Sequence, residues 1–336
     1  MFQNPKSNLQ NPLILLTGPT AVGKSTLALA LAQKFEAEII SADSRQLYRG
    51  MDIATAKPSP VEMALVPHHL IDLISPDEDF TLAAFQAQAY ALINAILERQ
   101  RLPLVVGGTL LYINALAEGW QIPQVEPSLE LRQALEEEAA QRGPEALYEE
   151  LKQIDPEAAA RIISNNTRRI IRALEVYRTT GRLFSEVQGK SKPPYHILKL
   201  GLTLERPLLY QRADERIENM FERGLISEVE NLLAVGYSAT LPAMTSLGYS
   251  QVAAYLRGEM SLPEAKEKMK FATHRYIRQQ YTWFRRDPEI LWFDATEADL
   301  ELKVSQKIAE FLNFGEDKDL QSTKIVEVVS GPRKFD

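Results

Sequence analysis

The sequence predicts an α/β fold, a parallel sheet flanked by helices and interrupted by an all-helical insertion, on three observations. Residues 18–25 read Gly-Pro-Thr-Ala-Val-Gly-Lys-Ser between a short apolar run and a run of strong helix formers. A second apolar run, Leu102–Val106, ends in Gly107-Gly108-Thr109 and gives way again to helical spacing. From Gly119 to about Pro194 the strand-like runs vanish and helical segments follow one another. Strands alternating with helices imply parallel pairing, because each crossover brings the chain back in the same direction.

The first strand is Pro12–Thr17 (PLILLT), apolar as a strand buried on both faces must be. The loop after it has the spacing G-x-x-x-x-G-K-[ST], in which glycines let successive N–H groups turn inward around an anion. Ser25–Phe35 (STLALALAQKF) is rich in helix formers, so a helix N-terminus adds its partial positive charge to the cradle. Strand, loop and helix in that order mark a P-loop, nucleotide-kinase-like core. Gly18, Pro19, Thr20, Ala21, Val22 and Gly23 are expected to cradle phosphate, Lys24 to reach the outer phosphate and Ser25 to ligate Mg²⁺. A glycine turn that binds nothing would not need these flanks.

Glu38–Ala42 reads as the second strand and runs into Asp43-Ser44-Arg45-Gln46. Residues at the carboxyl end of a strand beside a phosphate loop face the ligand crevice, which sets Asp43 near the phosphates. A carboxylate there can hold Mg²⁺ through water or take a proton from a nucleophile; the plainer alternative is a helix N-cap. Residues 50–60 are loop-like and offer Thr55 and Lys57 to polar ligands. His68 and His69 are adjacent on an extended segment and so point to opposite faces, which favours a structural role over one shared metal. Residues 81–99 have helical spacing, Leu102–Val106 is a buried strand, and its exit presents the Thr109 hydroxyl before a helix over 110–118.

Four helices are expected in the insertion, over 129–142, 144–152, 156–163 and 167–180, the last stopped by Gly181. The sheet resumes at 196–204, followed by a long helix over 207–235 with Arg212 and Arg216 on one face. Two arginines so placed either clamp a diphosphate or pair with Glu215 and Glu218. A loop then leads back to helix by Tyr255, and a basic helix follows over 262–286. A short strand near Leu291–Phe293 and a helix over 298–312 close the fold. Residues 12–118 and 195–313 would form the catalytic core, 119–194 the insertion, and 1–11 and 314–336 flexible tails.

The 336 residues, 45% hydrophobic and 25% charged, have the composition of a soluble globular protein. There is no cysteine, which excludes disulfides and thiolate metal sites. No apolar run approaches the roughly 20 residues of a membrane span and the polar start is unlike a signal peptide, so a cytoplasmic monomer is expected. The net charge of −7 is unevenly spread. Between Arg161 and Arg182 six arginines face the single acid Glu175, and His274–Arg286 interleaves rings with cations. Solvated helix faces can look like this, but such mixtures also track phosphates and stack bases.

The loop alone names a ligand and no reaction. A guanine-reading N-K-x-D motif is missing, and the central strand ends in Gly-Gly-Thr where a motor ATPase carries an acid. A small-molecule kinase and a transferase with a diphosphate leaving group remain. Gly18–Ser25, Ser41–Gln46, Thr55–Pro58, Pro67–Asp72, Val106–Thr109, Arg169–Glu175, Leu247–Tyr249 and Thr282–Arg285 stand in the order seen in tRNA dimethylallyltransferases, a family the chain resembles over residues 12–312.

That resemblance implies dimethylallyl diphosphate in the loop of residues 18–25, with Mg²⁺ bridging it to Ser25. It implies that Asp43 takes the proton from N6 of adenosine 37, flipped out of the tRNA anticodon loop, while Thr109 and Arg216 hold the diphosphate. Asp43, Ser44, Arg45, Gln46, Arg168, Arg169 and Arg172 would meet the tRNA. So would Thr245, Gly248, Tyr249, Arg278, Gln280, Trp283 and Arg285. The chain departs from the family at Arg278-Gln279-Gln280, where Lys-Arg-Gln is frequent, and at Thr245 and Ser250-Gln251, all within the implied tRNA surface. An enzyme acting on free adenine nucleotides would share the core but have no need of the insertion or the basic helices.

Overall fold

A computed structural model describes residues 9–123, 125 and 128–313; most of the two expected tails lies outside them. In chain order the elements begin β1 (Pro12–Thr17), α1 (Lys24–Lys34), β2 (Ala37–Ser41), α2 (Pro60–Leu65), β3 (His68–His69), α3 (Leu82–Glu98), β4 (Leu102–Gly107) and α4 (Leu110–Ala117). Then come β5 (Trp120–Gln121), α5 (Leu129–Arg142), α6 (Pro144–Ile154), α7 (Pro156–Arg161), α8 (Thr167–Thr180), α9 (Phe184–Val187) and β6 (Gly189–Lys190). The chain continues with β7 (His196–Thr203), α10 (Arg206–Glu222), α11 (Leu225–Val235), α12 (Tyr249–Leu256), α13 (Leu262–Phe284), β8 (Leu291–Asp294) and α14 (Leu300–Asn313).

Six strands form one sheet in the order β3-β2-β4-β1-β7-β8, and each neighbouring pair is parallel. The register decides what the sheet can do. Thr17 stands opposite Gly107, and Ser41 opposite Val106, so β1, β2 and β4 end at one level and their exit loops converge. Packing there is close: a Cβ on Gly107 would lie 2.2 Å from the Ala42 carbonyl oxygen. Only glycine lets β2 and β4 approach so nearly.

The main core lies against this sheet. Leu27, Ala28 and Leu31 of α1, Ile277, Tyr281 and Phe284 of α13, and Val304, Ile308 and Leu312 of α14 bury the apolar side chains of β1, β4 and β7. A second cluster gathers Met51, Ile217, Met220, Val229, Tyr249 and Met269. It explains why the single helix expected over 207–235 is two. Gly224 adopts φ 94° after α10, and the turn lets Leu225, Val229 and Leu232 of α11 face that cluster. Ser59 and Ser261 begin α2 and α13 as capping boxes with Glu62 and Glu264, and each helix carries proline in its first turn.

The chain divides into two compact units, one of residues up to 80, 87–113 and from 194 on, the other of 81–86 and 114–193. The second is built from α5 to α9 around Leu135, Leu147, Leu151, Ile170, Leu174 and Phe184. Its anchor is Glu175, the single acid in the arginine run. Fully buried, Glu175 accepts hydrogen bonds from Arg132 Nε at 2.8 Å, Arg172 Nη1 at 2.6 Å and the Ser128 N–H at 2.9 Å. Burial alone would raise its pKa; the bonds from Arg132 and Arg172 outweigh burial and hold the carboxyl below the usual range. Glu175→Ala leaves two guanidinium groups with no counter-charge and is expected to destabilise this unit by about 3–5 kcal/mol. Loss of the protease resistance of this unit alone would register it.

Candidate active site

The loop after β1 passes through Ala21 at φ 64° and Gly23 at φ 104° before α1 begins at Lys24. Lys24 folds back over the loop, its Nζ donating to the carbonyl oxygens of Gly18 at 2.9 Å and Pro19 at 2.7 Å. Ser25 follows on the first turn of α1. Beside them opens a cavity walled by Thr20, Lys24, Ser25, Ser41, Asp43, Gly108 and Arg216. Apolar side chains of Ala28, Leu29, Ile39, Ile71 and Val106 also line it.

Two cations face this cavity under strain. Burial, then the charge of Arg216, push the Lys24 ammonium from 10.5 down to about 7, and Asp43 only partly opposes them. Burial likewise lowers Arg216, again against the pull of Asp43. No ion pair to either is formed among the described residues: Glu218 binds Lys266 and Lys270, and Glu215 accepts from Gln211. Arg216 is thus turned inward and away from the surface acids that were its alternative partners. Two half-buried cations that lack an ion-pair partner among the described residues, beside helix N-terminal amides, make a site suited to an anion.

Asp43 does not cap a helix. Its Oδ1 accepts from the Arg45 N–H at 2.9 Å, an Asx turn at the exit of β2. The turn is held from β4, because Thr109 Oγ1 accepts the Ser44 N–H at 3.0 Å and the Thr109 N–H donates to the Ala42 carbonyl at 3.2 Å. Thr109 therefore lies behind Asp43 as a brace and is not among the cavity walls. Two tyrosines flank Asp43 that sequence reasoning did not assign to it. Tyr276 of α13 is pushed up to about 12 by burial and by the Asp43 charge, and burial raises Tyr112 of α4 likewise. Tyr112 lies one turn after Thr109 and Tyr276 one turn before Gln280, spacings that could have revealed them.

The other expected residues divide into two groups. Arg168, Arg169, Thr245, Arg278, Trp283 and Arg285 are exposed. Arg278 donates to the Tyr210 hydroxyl at 3.1 Å, and the Arg286 guanidinium lies 5.0 Å from the centre of the Trp283 ring. Elsewhere the expected RNA contacts turn inward. Arg172 is tied to Glu175 and to the carbonyls of Pro123 and Val125. Gln46 donates to the carbonyls of Thr55 and Ala56, and Arg45 Nη1 to that of Pro242. Tyr249 is fully buried, its hydroxyl donating to Glu228 at 2.6 Å, and Gly248 is buried at the start of α12. Gln280 is 3% exposed, and both ends of its amide are bonded inside the site.

Thr55 and Lys57 are engaged as well: Thr55 Oγ1 donates to the Met51 carbonyl, and Lys57 pairs with Asp52 and Asp72. His68 and His69 face opposite ways as extended backbone requires. His69 Nε2 meets Glu38 Oε2 at 2.7 Å, while His68 Nδ1 meets the Val66 carbonyl.

A parallel sheet whose strand ends carry a phosphate loop and a carboxylate, with a half-buried arginine of α10 lining the same cavity, defines a P-loop α/β protein. Within that class the sequence is specific. The model of the IPP transferase family matches residues 46–287, and the chain belongs to that family. The tRNA dimethylallyltransferase of Thermomicrobium roseum is 49% identical over 311 residues, 93% of this chain and 94% of the relative. That of Roseiflexus castenholzii is 52% identical over 289 residues, 86% and 94% of the two chains. Among solved structures, the full-length tRNA isopentenylpyrophosphate transferase from Bacillus halodurans superposes with a TM-score of 0.69 at 40% identity, covering 91% of this chain and 98% of that one. A eukaryotic dimethylallyltransferase acting on tRNA gives 0.74 at 27% identity, covering 90% and 78%.

Proposed function

We propose that this protein transfers the dimethylallyl group of dimethylallyl diphosphate to N6 of adenosine 37 in tRNA, releasing diphosphate and leaving N6-(dimethylallyl)adenosine. The observation that carries the reading is the pair of depressed cations, Lys24 and Arg216, facing Asp43 across one cavity. A diphosphate gives both groups a counter-charge, and its negative charge grows as the allylic C–O bond breaks. Stabilising that leaving group is the principal catalytic need, because the adenine amine is a weak nucleophile and an allylic carbon ionises readily. The N6 lone pair forms the new bond to C1, the C–O electron pair departs with diphosphate, and the N6 proton passes to Asp43. Its Oδ1 is held by Arg45, which leaves Oδ2 for the proton.

Arg216 and Lys24 grip the diphosphate, and Thr109 holds the Asp43 turn in place. The donor set suits Mg²⁺ shared with a substrate: Ser25 offers one hydroxyl, and among the described residues no three His, Asp or Glu side chains gather into a metal cage. Ser25 would hold the ion, which supplies further positive charge to the diphosphate oxygens. The exposed cations of α13, with Trp283, offer the tRNA a basic and partly aromatic face. Among the described residues no helix is long and apolar enough to cross a membrane.

The test is incubation with Mg²⁺, dimethylallyl diphosphate and an unmodified anticodon stem-loop carrying adenosines 36 and 37, followed by mass spectrometry of the RNA. The expected product is heavier by one dimethylallyl group at adenosine 37. Prenylation of free AMP with none on the RNA would replace this reading by that of a nucleotide-modifying enzyme; phosphate transferred from ATP to an acceptor would replace it by that of a kinase.

A further inference from the structure

The inward turn of Gln280 gives it work that no tRNA contact would require. It sits on α13, whose neighbouring residues Arg278, Thr282 and Trp283 are exposed, yet its side chain reaches the opposite way into the cradle. Its Oε1 accepts the Thr20 N–H at 3.0 Å, and its Nε2 donates to the Gly108 carbonyl at 3.1 Å. Thr20 belongs to the loop after β1 and Gly108 to the exit of β4, and both line the cavity. One amide therefore joins three segments far apart in sequence. The fit is tight, since a Cβ on Gly108 would lie 2.6 Å from Gln280 Nε2.

The choice of residue is specific. Thr20 presents a donor and Gly108 an acceptor, so the side chain between them must accept at one end and donate at the other, which a neutral amide does and a carboxylate does not. The bond also takes the Thr20 N–H out of the set of loop amides free to turn toward an anion. Its effect is to fix the path of the loop before Lys24 and Ser25, and to do so from the helix that presents the basic surface. We propose that Gln280 is a positioning residue for the diphosphate, clamping the phosphate loop to the β4 exit, and that it makes no contact with RNA.

The proposal rests on the diphosphate reading above, and is tested on wild-type enzyme already shown to transfer the prenyl group, so failure of that reading would appear first and separately. Binding of dimethylallyl diphosphate with Mg²⁺ in the absence of RNA, and of the anticodon stem-loop alone, is measured for Gln280→Met and Gln280→Glu. Gln280→Met leaves a buried donor and a buried acceptor unpartnered at the loop, so donor affinity is expected to fall about tenfold or more while RNA affinity stays within about twofold. A parallel fall in RNA affinity, or no fall in donor affinity, overturns the proposal.

Gln280→Glu supplies a pH signature that a general packing defect would not. A protonated glutamic acid accepts from Thr20 and donates to Gly108 as glutamine does; ionised, it repels the Gly108 carbonyl and the diphosphate together. The ratio of variant to wild-type dissociation constants is expected to lie near one at the acid end of a scan from about pH 6 to 9 and to climb with pH as the buried acid ionises. A ratio that stays flat across the scan overturns the clamp.

Discussion

Asp43→Ala is expected to lower turnover by about 10²–10⁴-fold, the span removed with a general base, while affinity for the anticodon stem-loop changes by no more than about twofold. The asymmetry follows from where Asp43 lies. It faces the cavity at the end of β2, and its charge acts on both Lys24 and Arg216. Removing it deletes the proton acceptor and also a protein anion that competes with the diphosphate for those cations. The KM for dimethylallyl diphosphate should therefore hold or fall while kcat collapses. Single-turnover kinetics with saturating RNA separate the two effects. Turnover retained within a few-fold of wild type would mean that the N6 proton leaves by another route and that Asp43 is not the base.

Comparing Asp43 with Gln280 shows what a sequence can and cannot disclose about such a site. Asp43, the loop and the Gly107-Gly108-Thr109 exit were legible because each sits at the end of an apolar run, and strand ends of a parallel sheet converge whatever the side chains do. The helices of the insertion were legible for a similar reason: proline, asparagine and glycine punctuate them, and α8 begins at Thr167 and ends before Gly181 as expected. Gln280 was not legible in this way. On an amphipathic helix a glutamine beside Arg278 and Trp283 reads as part of the polar face, and only the approach of Thr20 and Gly108 from other segments makes an interior polar partner available. The inward bonds of Tyr249 and Arg172 were hidden for the same reason, since their partners Glu228 and Glu175 come from other turns or other helices. The break at Gly224 escaped because the apolar spacing continues across it while the direction of burial changes. Two-residue strands such as β3, β5 and β6 carry no periodicity to read.

Binding of dimethylallyl diphosphate in the absence of RNA is expected to take up close to one proton at pH 8, and affinity should weaken as pH rises from 7 toward 9. The sign follows from Lys24. In the free enzyme burial and Arg216 hold its ammonium at about 7, so at pH 8 the amine is mostly neutral; a bound diphosphate favours the charged form and restores the proton. Calorimetry in buffers of different ionisation enthalpy counts that proton directly. Arg216→Gln removes the second cause of the depression as well as one grip on the ligand, so proton uptake at pH 8 should shrink even as affinity falls by about 10–100-fold. The same depression bears on stability in the opposite sense. Between about 7 and the ordinary 10.5 the unfolded chain binds the proton that the native chain has shed, so this group's contribution to stability rises with pH across that window. Lys24→Met, which abolishes the buried charge, should accordingly melt higher than wild type at pH 7 without ligand, with the advantage fading as pH approaches 10, and should bind dimethylallyl diphosphate far more weakly throughout. An unchanged affinity between pH 7 and 9 with no proton taken up would show that Lys24 is fully charged in the empty site. The cradle would then need no anion to complete it.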